Sequence, residues 1–406
     1  MPATTRKTPP WVFLFLPVPY GVFLGYMQTP LPWLLRQTGM SVDRIGSFEA
    51  LLVMPLAIYF LWSPVVDFWL RRRTWTVLLS AMSGLMLGTA VLLLRSYPEA
   101  AIWMLFAGFC VNVMTCASAG GLMASSLEGD DKSRAAAWMQ GGTLAAQALG
   151  GGALLFVSRR MPIGITACVA ALLAFLPALV ALTIEEPAVE SGLRDFKSTC
   201  RVMATEIRET LFTWKSLPGI LLLISPVGTG AAQGLFPALA RDYGVGEHGV
   251  LLLNGLLGGV LTMLGAFSAV ILPAHWDRRV AYAAAGLAAS STGIYLMIAP
   301  LNAFAYFLGV GLYLLTTGAC YGFFLGVVVV TMGEAGASAS TRYTILVCIG
   351  NLPIVYMTKV EAWGYAAFGI RGVPALDAAG NLLVAACVLL WLVSRRMRRR
   401  EELALS

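Results

Sequence analysis

The sequence predicts an all-α membrane protein of twelve transmembrane helices, built as two parallel six-helix pseudo-repeats. Three observations predict it. The 406 residues are 58% hydrophobic and 12% charged, with mean hydropathy +0.77, whereas a soluble domain carries about 25% charged residues. The apolar runs are about 20 residues long, enough to cross the hydrocarbon core as helices. Finally, GYMQTPLPWLLRQTG at 25–39 returns as GAAQGLFPALARDYG at 230–244, pairing Gly25/Gly230, Gln28/Gln233, Pro32/Pro237, Arg36/Arg241 and Gly39/Gly244 at one offset of 205.

The elements follow in order. Span 1 covers 11–35; it is too long for a cleaved signal peptide, has early prolines and lacks a small-residue cleavage site. Span 2 covers 46–66, has Glu49 near its outer end, and leads into SPVVDFWLRRR with Asp67, Arg71 and Arg72. Spans 3 and 4 cover 75–94 and 101–125; Asn112 is central in span 4 and Glu128 follows it. Span 5, 136–157, is entered at Arg134 and holds Gln140, Gln147 and Gly150–Gly152; span 6 covers 163–184. Span 7 covers 218–240 and span 8 covers 248–272, which leads into LPAHWDRR with Asp277, Arg278 and Arg279. Spans 9 and 10 cover 279–299 and 302–331; Tyr321 is in span 10 and Glu334 follows it. Span 11, 343–366, is entered at Arg342 and holds Asn351, Tyr356, Lys359 and Glu361; span 12 covers 375–394 and begins at Asp377. A β-barrel would need short alternating segments instead, and the chain has none.

The expected organisation is a six-helix half over 1–184, a cytoplasmic linker over 185–217, and a second half with a basic tail over 218–406. In the linker, Leu193, Phe196, Cys200, Met203, Ile207 and Leu211 form one apolar helical face. That pattern predicts an amphipathic helix along the membrane surface.

Charge sets the expected orientation. With the N-terminus in the cytoplasm, twenty Lys and Arg lie inside and seven outside, so the positive-inside rule places both termini in the cytoplasm. The net charge of +7 then reflects topology; the tail RRMRRR suits anionic lipid and no nucleic-acid partner is needed. The seven cysteines form no CxxC pair, and His248 and His275 lack partners at metal spacing. No P-loop, nucleophile elbow or zinc motif is present. No cofactor, no metal and no enzymatic activity are expected.

The repeat extends beyond its first stretch. Glu128 matches Glu334, Arg134 matches Arg342, Gly142 matches Gly350, and the Asp–Arg–Arg loop after span 2 matches the one after span 8. Parallel halves related by an axis along the membrane normal hold a substrate site between them near the midplane. Gly25, Gln28, Pro32, Arg36 and Gly39 share one helical face. Gln28 and Gln233 therefore either face the axis between the halves or bond neighbouring helices.

The six-plus-six layout with its Asp-x-x-x-Arg-Arg loop resembles the major facilitator superfamily, though Ser63 and Pro64 replace the usual opening glycine. LWSPVVDFWLRRRTW, with AAAWMQGGTLAAQALGGGALL at 135–155 and GNLPIVYMTKVEAWGYAAFGIRG at 350–372, resembles the branch of muropeptide permeases, acetyl-CoA transporters and siderophore permeases. The resemblance implies the major facilitator fold and secondary transport.

Candidate residues follow from physical chemistry. Asp67 with Arg71 and Arg72, Asp277 with Arg278 and Arg279, Glu128 with Arg134, and Glu334 with Arg342 are expected as gates that pair in one state and release in the other. Intramembrane charges are costly and mark function. Lys359 is the candidate to receive an anionic substrate, and Glu361 or Glu49 to carry a coupling proton; Asp377, and Glu49 in the bland reading, would snorkel to the outer interface. Gln28, Asn112, Gln147, Gln233, Tyr321 and Tyr356 are candidate substrate contacts, each of which could instead serve a helix–helix bond. The glycines at 150–152, 255, 258 and 259 are expected as close-packing surfaces.

The expected protein is a monomeric, multi-pass transporter of the bacterial inner membrane. It moves a small polar, anionic solute by alternating access, with or without coupled protons, and has membrane lipid as its other partner. The alternative is a non-transporting sensor or scaffold that reuses the fold.

Overall fold

The computed structural model describes residues 8–67, 69–127, 130–186, 205, 208, 216–271, 277–332 and 339–405. The linker helix expected over 193–211, and Glu128 and Glu334, fall almost wholly outside them. Ten helical stretches among the described residues are long and apolar enough to cross a membrane. The last, Arg342–Val388, runs through Ala339–Phe368 and Gly372–Leu405 and so covers spans 11 and 12. Span 7 is missing from the ten because it is broken into Leu217–Leu223 and Ala232–Leu239. All twelve expected spans are therefore helical.

Local chemistry sets the ends. Pro98 opens span 4 at the first helical turn, where its missing N–H costs nothing. Asp277 caps span 9, its carboxylate accepting the N–H of Arg279 at 2.9 Å. The repeated Gly39 and Gly244 both end their helices in the left-handed region, at φ 88° and 69°, which a side chain resists. The rest of the repeated stretch has diverged. Span 1 kinks at Thr29, between Val18–Gln28 and Pro30–Gln37, so the five repeated residues do not share one straight helical face.

Spans 5 and 8 each contain a π-helical turn, Leu149–Ala153 and Leu251–Leu257, and these pack on each other. Their glycines let the backbones meet. A Cβ on Gly255 would stand 2.6 Å from the Cα of Gly152, so no side chain fits between the two helices. Spans 2 and 11 form the other extensive contact between the halves.

The core is asymmetric along the membrane normal. An even number of crossings brings the start of span 1 and the end of span 12 to one face, called here the terminal face. Toward the opposite face one apolar cluster runs through both halves and includes Tyr26, Leu31, Leu35, Leu235, Phe236, Tyr243, Tyr306 and Tyr313. Toward the terminal face the core divides. Phe13, Leu16, Leu122 and Ile184 belong to a cluster of the first half, and Ile220, Leu223, Phe323 and Leu346 to a separate one of the second.

Candidate functional site

The interruption of span 7 is the centre of the second half. Residues 224–231 read ISPVGTGA, with Gly228 at φ 56° and Gly230 at φ 67°. Leaving the helix frees backbone groups that hydrocarbon cannot satisfy. Side chains from four other spans take them up. The hydroxyls of Tyr356, Tyr282 and Tyr321 donate to the carbonyls of Ile224, Val227 and Thr229 at 2.8, 2.7 and 3.2 Å. Asn381 Oδ1 accepts the N–H of Gly228 at 2.7 Å. Two of the expected substrate contacts, Tyr321 and Tyr356, thus hold the broken helix in this state.

Two carboxylates lie beside the break. Glu361 is fully buried, and among the described residues its carboxylate meets no hydrogen-bond donor other than the carboxyl of Asp377. Asp377 is its buried neighbour on span 12. Tyr313 donates to Asp377 Oδ1 at 3.0 Å, and Asn381 Nδ2 donates to its Oδ2 at 3.2 Å and to its carbonyl at 2.9 Å. Among the described residues neither carboxylate has a cationic partner. The interfacial position expected for Asp377 is corrected here. Span 12 begins at Gly372, so Asp377 is more than a turn inside the helix and faces span 10. Glu49 is also buried, so it does not snorkel. Its carboxylate crosses to span 7 and fills the place where Gly234 would carry a Cβ, next to Gln233.

The other polar candidates divide. Gln147 donates to the amide oxygen of Gln28 within the first half, and Gln233 makes no side-chain hydrogen bond among the described residues. Asn112 is buried and donates to the Pro19 carbonyl and to Ser83 Oγ at 3.3 and 3.1 Å, a bond among spans 1, 3 and 4. Lys359 stands on an exposed face of span 11 with Leu352, Val360 and Trp363, about 200° around the helix from Glu361.

At the opposite face the two halves are tied by charges. Arg36 of span 1 lies 3.6 Å from Asp242 at the end of span 7. Tyr365 bridges them, accepting from Arg36 at 3.1 Å and donating to Asp242 at 3.3 Å. Arg159 at the end of span 5 pairs with Glu247 at the start of span 8 and also donates to Gln37 at 3.1 Å. The guanidinium of Arg241 stacks over Trp33 at 5.4 Å. None of these residues was among the expected gates. The repeated Arg36/Arg241 was the available signal, and both members are engaged across the halves.

The described gate residues sit at the terminal face, and the bonds seen for Arg72, Arg134 and Arg278 stay within one half. Glu186, buried at the end of span 6, accepts the N–H groups of Arg72 and Arg73 at 3.0 and 3.2 Å, capping span 3. Arg72 Nη1 donates to the Gly121 carbonyl at 3.1 Å, while Arg71 is exposed. Arg278 donates to the Ala269 carbonyl at 3.3 Å. Arg134 approaches Asp131, a local contact at 4.0 Å, and Arg342 is half-buried and engaged. Among the described residues no salt bridge joins the halves at this face, and no cluster of His, Cys, Asp and Glu is arranged to hold a metal.

Comparison with known proteins gives a consistent result. The family model of the Major Facilitator Superfamily matches residues 13–356. A mutant of the nucleoside transporter NupG superposes with TM-score 0.71 at 12% identity, covering 94% of this chain and 98% of that one. A D-xylose-proton symporter gives TM-score 0.71 at 14% identity, covering 93% and 95%. The peptide transporter POT in complex with sulfate gives 0.67 at 11%, covering 97% and 96%. No curated protein matches the chain by sequence.

Proposed function

We propose that this chain, which belongs to the major facilitator superfamily and is a multi-pass membrane transporter rather than an enzyme, carries a small polar solute by alternating access coupled to protons at Glu361 and Asp377. The observation that carries the reading is the buried carboxylate pair with no cation beside it, next to the broken span 7. Buried charge is costly without a partner, so a proton taken up there removes charge from a place where charge is expensive. Discontinuous helices at the interface of two repeats suit solute binding, because the side-chain bonds that hold their backbone groups can be exchanged for polar contacts with a solute. Glu49 reaches the same span from the first half and is the second candidate to carry a proton. Gln233, whose side chain makes no hydrogen bond among the described residues, is the foremost polar group for the solute; Gln28 and Gln147 face it from the other half in this proposal.

The positive-inside distribution supports a plasma-membrane protein with both termini in the cytoplasm. In that orientation the opposite-face ties of Arg36, Asp242, Arg159 and Glu247 close the outside, and the divided core opens toward the cytoplasm. We assign the terminal-face clusters of Asp67, Arg71 and Arg72 and of Asp277, Arg278 and Arg279 to the inner gate, with Glu128, Arg134, Glu334 and Arg342 beside them. They would form cross-half pairs once the outer ties release. An anionic solute would need Lys359 in the path. Its exposed, apolar-flanked position suits lipid headgroups instead, so the solute is recognised by hydrogen bonds.

The test is transport in proteoliposomes with an inward-directed proton gradient. Muropeptides, acyl-CoAs, siderophores, sugars and nucleosides are first ranked by thermal shift, since a ligand that binds the native state raises the melting temperature. Accumulation that collapses with the gradient supports the proposal. Binding without transport would instead favour a sensor that reuses the fold.

A further inference from the structure

The Asp377 carboxylate reaches both the break in span 7 and the helix that follows it. Through Asn381 it reaches the break itself. The amide has one hand on Asp377 Oδ2, by Nδ2–H at 3.2 Å, and the other on the Gly228 N–H, by Oδ1 at 2.7 Å. Through Tyr313 it reaches the helix that follows. Tyr313 donates to Asp377 Oδ1 at 3.0 Å, and its ring meets Phe236 edge-on at 5.0 Å between centroids. Asn381 is buried, and its orientation is fixed by chemistry. Only the NH₂ can donate to a carboxylate and only the oxygen can accept an N–H. Turning the amide over would set donor against donor at Gly228.

We infer that Asn381 is a positioning residue that converts the protonation of the Asp377–Glu361 pair into a rearrangement of the span 7 break. The inference rests on the proton-coupled reading above. A bond from Asn381 to an ionised carboxylate is charge-assisted and about twice as strong as one to a neutral acid. When a proton settles on Asp377, Asn381 keeps its 2.9 Å bond to the Asp377 carbonyl but loses the charge-assisted one to the carboxylate, and its hold on the Gly228 N–H weakens. The break is then free to repack. Because Ala232–Leu239 leads directly to Arg241 and Asp242, that repacking is delivered to the residues that tie the halves together.

Among the described residues no other charged group competes for this role. Span 10 presents Tyr313, Cys320 and Tyr321 to the pair, and span 9 presents Tyr282 beside Cys320 and Tyr321. Span 11 contributes Glu361 itself, while Lys359 is exposed on another face. Span 7 brings only Ser225 and Thr229 within the break, and Glu49 lies farther along it at Gly234. Arg371, at the start of span 12, stands beside Tyr243.

Hydrogen–deuterium exchange of the purified full chain tests the inference without a known solute, because the Gly228 amide is itself the reporter. Exchange of peptides containing Gly228 is followed across pH and corrected for the intrinsic rate, and proton uptake is measured separately with an indicator dye. In the wild type, protection should fall about fivefold as the pair takes up its proton, the scale of losing charge assistance from one hydrogen bond. Asp377→Asn should fix the low protection at every pH. Asn381→Ala should also give low, pH-independent protection while Glu361 and Asp377 still take up protons. A pH response that survives in Asn381→Ala overturns the inference and leaves proton coupling standing. If Asn381→Ala does not fold, wild-type protection that stays constant while uptake proceeds overturns it equally. Proton uptake unchanged in both Glu361→Gln and Asp377→Asn overturns the coupling reading itself, and the inference with it.

Discussion

Arg36 and Asp242 stand 3.6 Å apart across the two halves, with the hydroxyl of Tyr365 between them. Their side chains are 21% and 28% exposed, so water screens the pair only in part. An exposed pair contributes about 0–1 kcal/mol, and the tyrosine bridge places this one at the upper end. Asp242→Asn should therefore shift the population about fivefold toward the state open at this face, since about 1 kcal/mol corresponds to that ratio. Distance distributions between spin labels at Gln37 and Glu247 measure the shift in Asp242→Asn against the same labelled parent. An unchanged distribution would show that the pair does not hold this face shut.

This tie, and much else, was only partly legible in the sequence. The spans and their pairing into repeats could be read, because hydropathy is a local property and the repeated residues recur at a fixed offset. The break in span 7 could not. ISPVGTGA continues an apolar run, and the tyrosines that satisfy it come from positions 282, 321 and 356, which only the fold brings together. A span that begins at 375 places Asp377 at the interface; the start at Gly372 carries it inward. The repeat pointed to Arg36, but its partners Asp242 and Tyr365 are not themselves repeated. Lys359 drew attention as an intramembrane charge, although hydropathy cannot say which face of a helix a residue occupies.

The contact of Gly152 with Gly255 gives a stability prediction. Gly255→Val would force a side chain into a space where a Cβ alone stands 2.6 Å from the Gly152 Cα. Overpacking of this kind costs about 1–3 kcal/mol, and the melting temperature in detergent should fall by several degrees. Gly164→Ala, where an added Cβ meets nothing within 4 Å, is the control and should melt like the parent. Equal melting of the two variants would mean that spans 5 and 8 separate freely at this point.

Tyr282 carries a second stability prediction. Its hydroxyl satisfies the Val227 carbonyl at 2.7 Å inside the second-half core. Tyr282→Phe keeps the ring and strands that carbonyl, at a cost of about 1–3 kcal/mol. Tyr356→Phe removes a similar bond to Ile224 at a more exposed site, where water can replace it, and should cost less. Thermal unfolding of the two variants side by side checks the order. The reverse order would place the structural load of the break at its exposed end.

Glu361→Gln separates proton coupling from solute movement. The substitution preserves size and removes the ionisable group from a site where, among the described residues, no cation stands beside it. Once a solute is known, accumulation driven by a pH gradient should fall to simple equilibration. Exchange of labelled for unlabelled solute, which needs no net proton movement, should persist. Loss of both activities together would instead make Glu361 part of solute binding or folding. Gradient-driven accumulation at the parental level would remove it from the coupling pathway.

Lys359 is the residue on which the sign of the solute's charge turns. It stands sixteen residues beyond Tyr343 in the sequence, about 24 Å along a helix at 1.5 Å per residue. Its face also carries Leu352, Val360 and Trp363, which are 45%, 38% and 58% exposed. Large apolar side chains left uncovered on a membrane helix suit lipid, tryptophan is enriched at the membrane interface, and lysine near a helix end extends its amine to the headgroups. Lys359→Met keeps the apolar stem and removes the charge. Affinity for the transported solute should be unchanged by it, and its dependence on salt should match the parent. Association with vesicles rich in anionic lipid should weaken instead. If Lys359→Met lowers solute affinity, and the loss shrinks as salt screens the charge, the lysine faces the path and the solute is an anion.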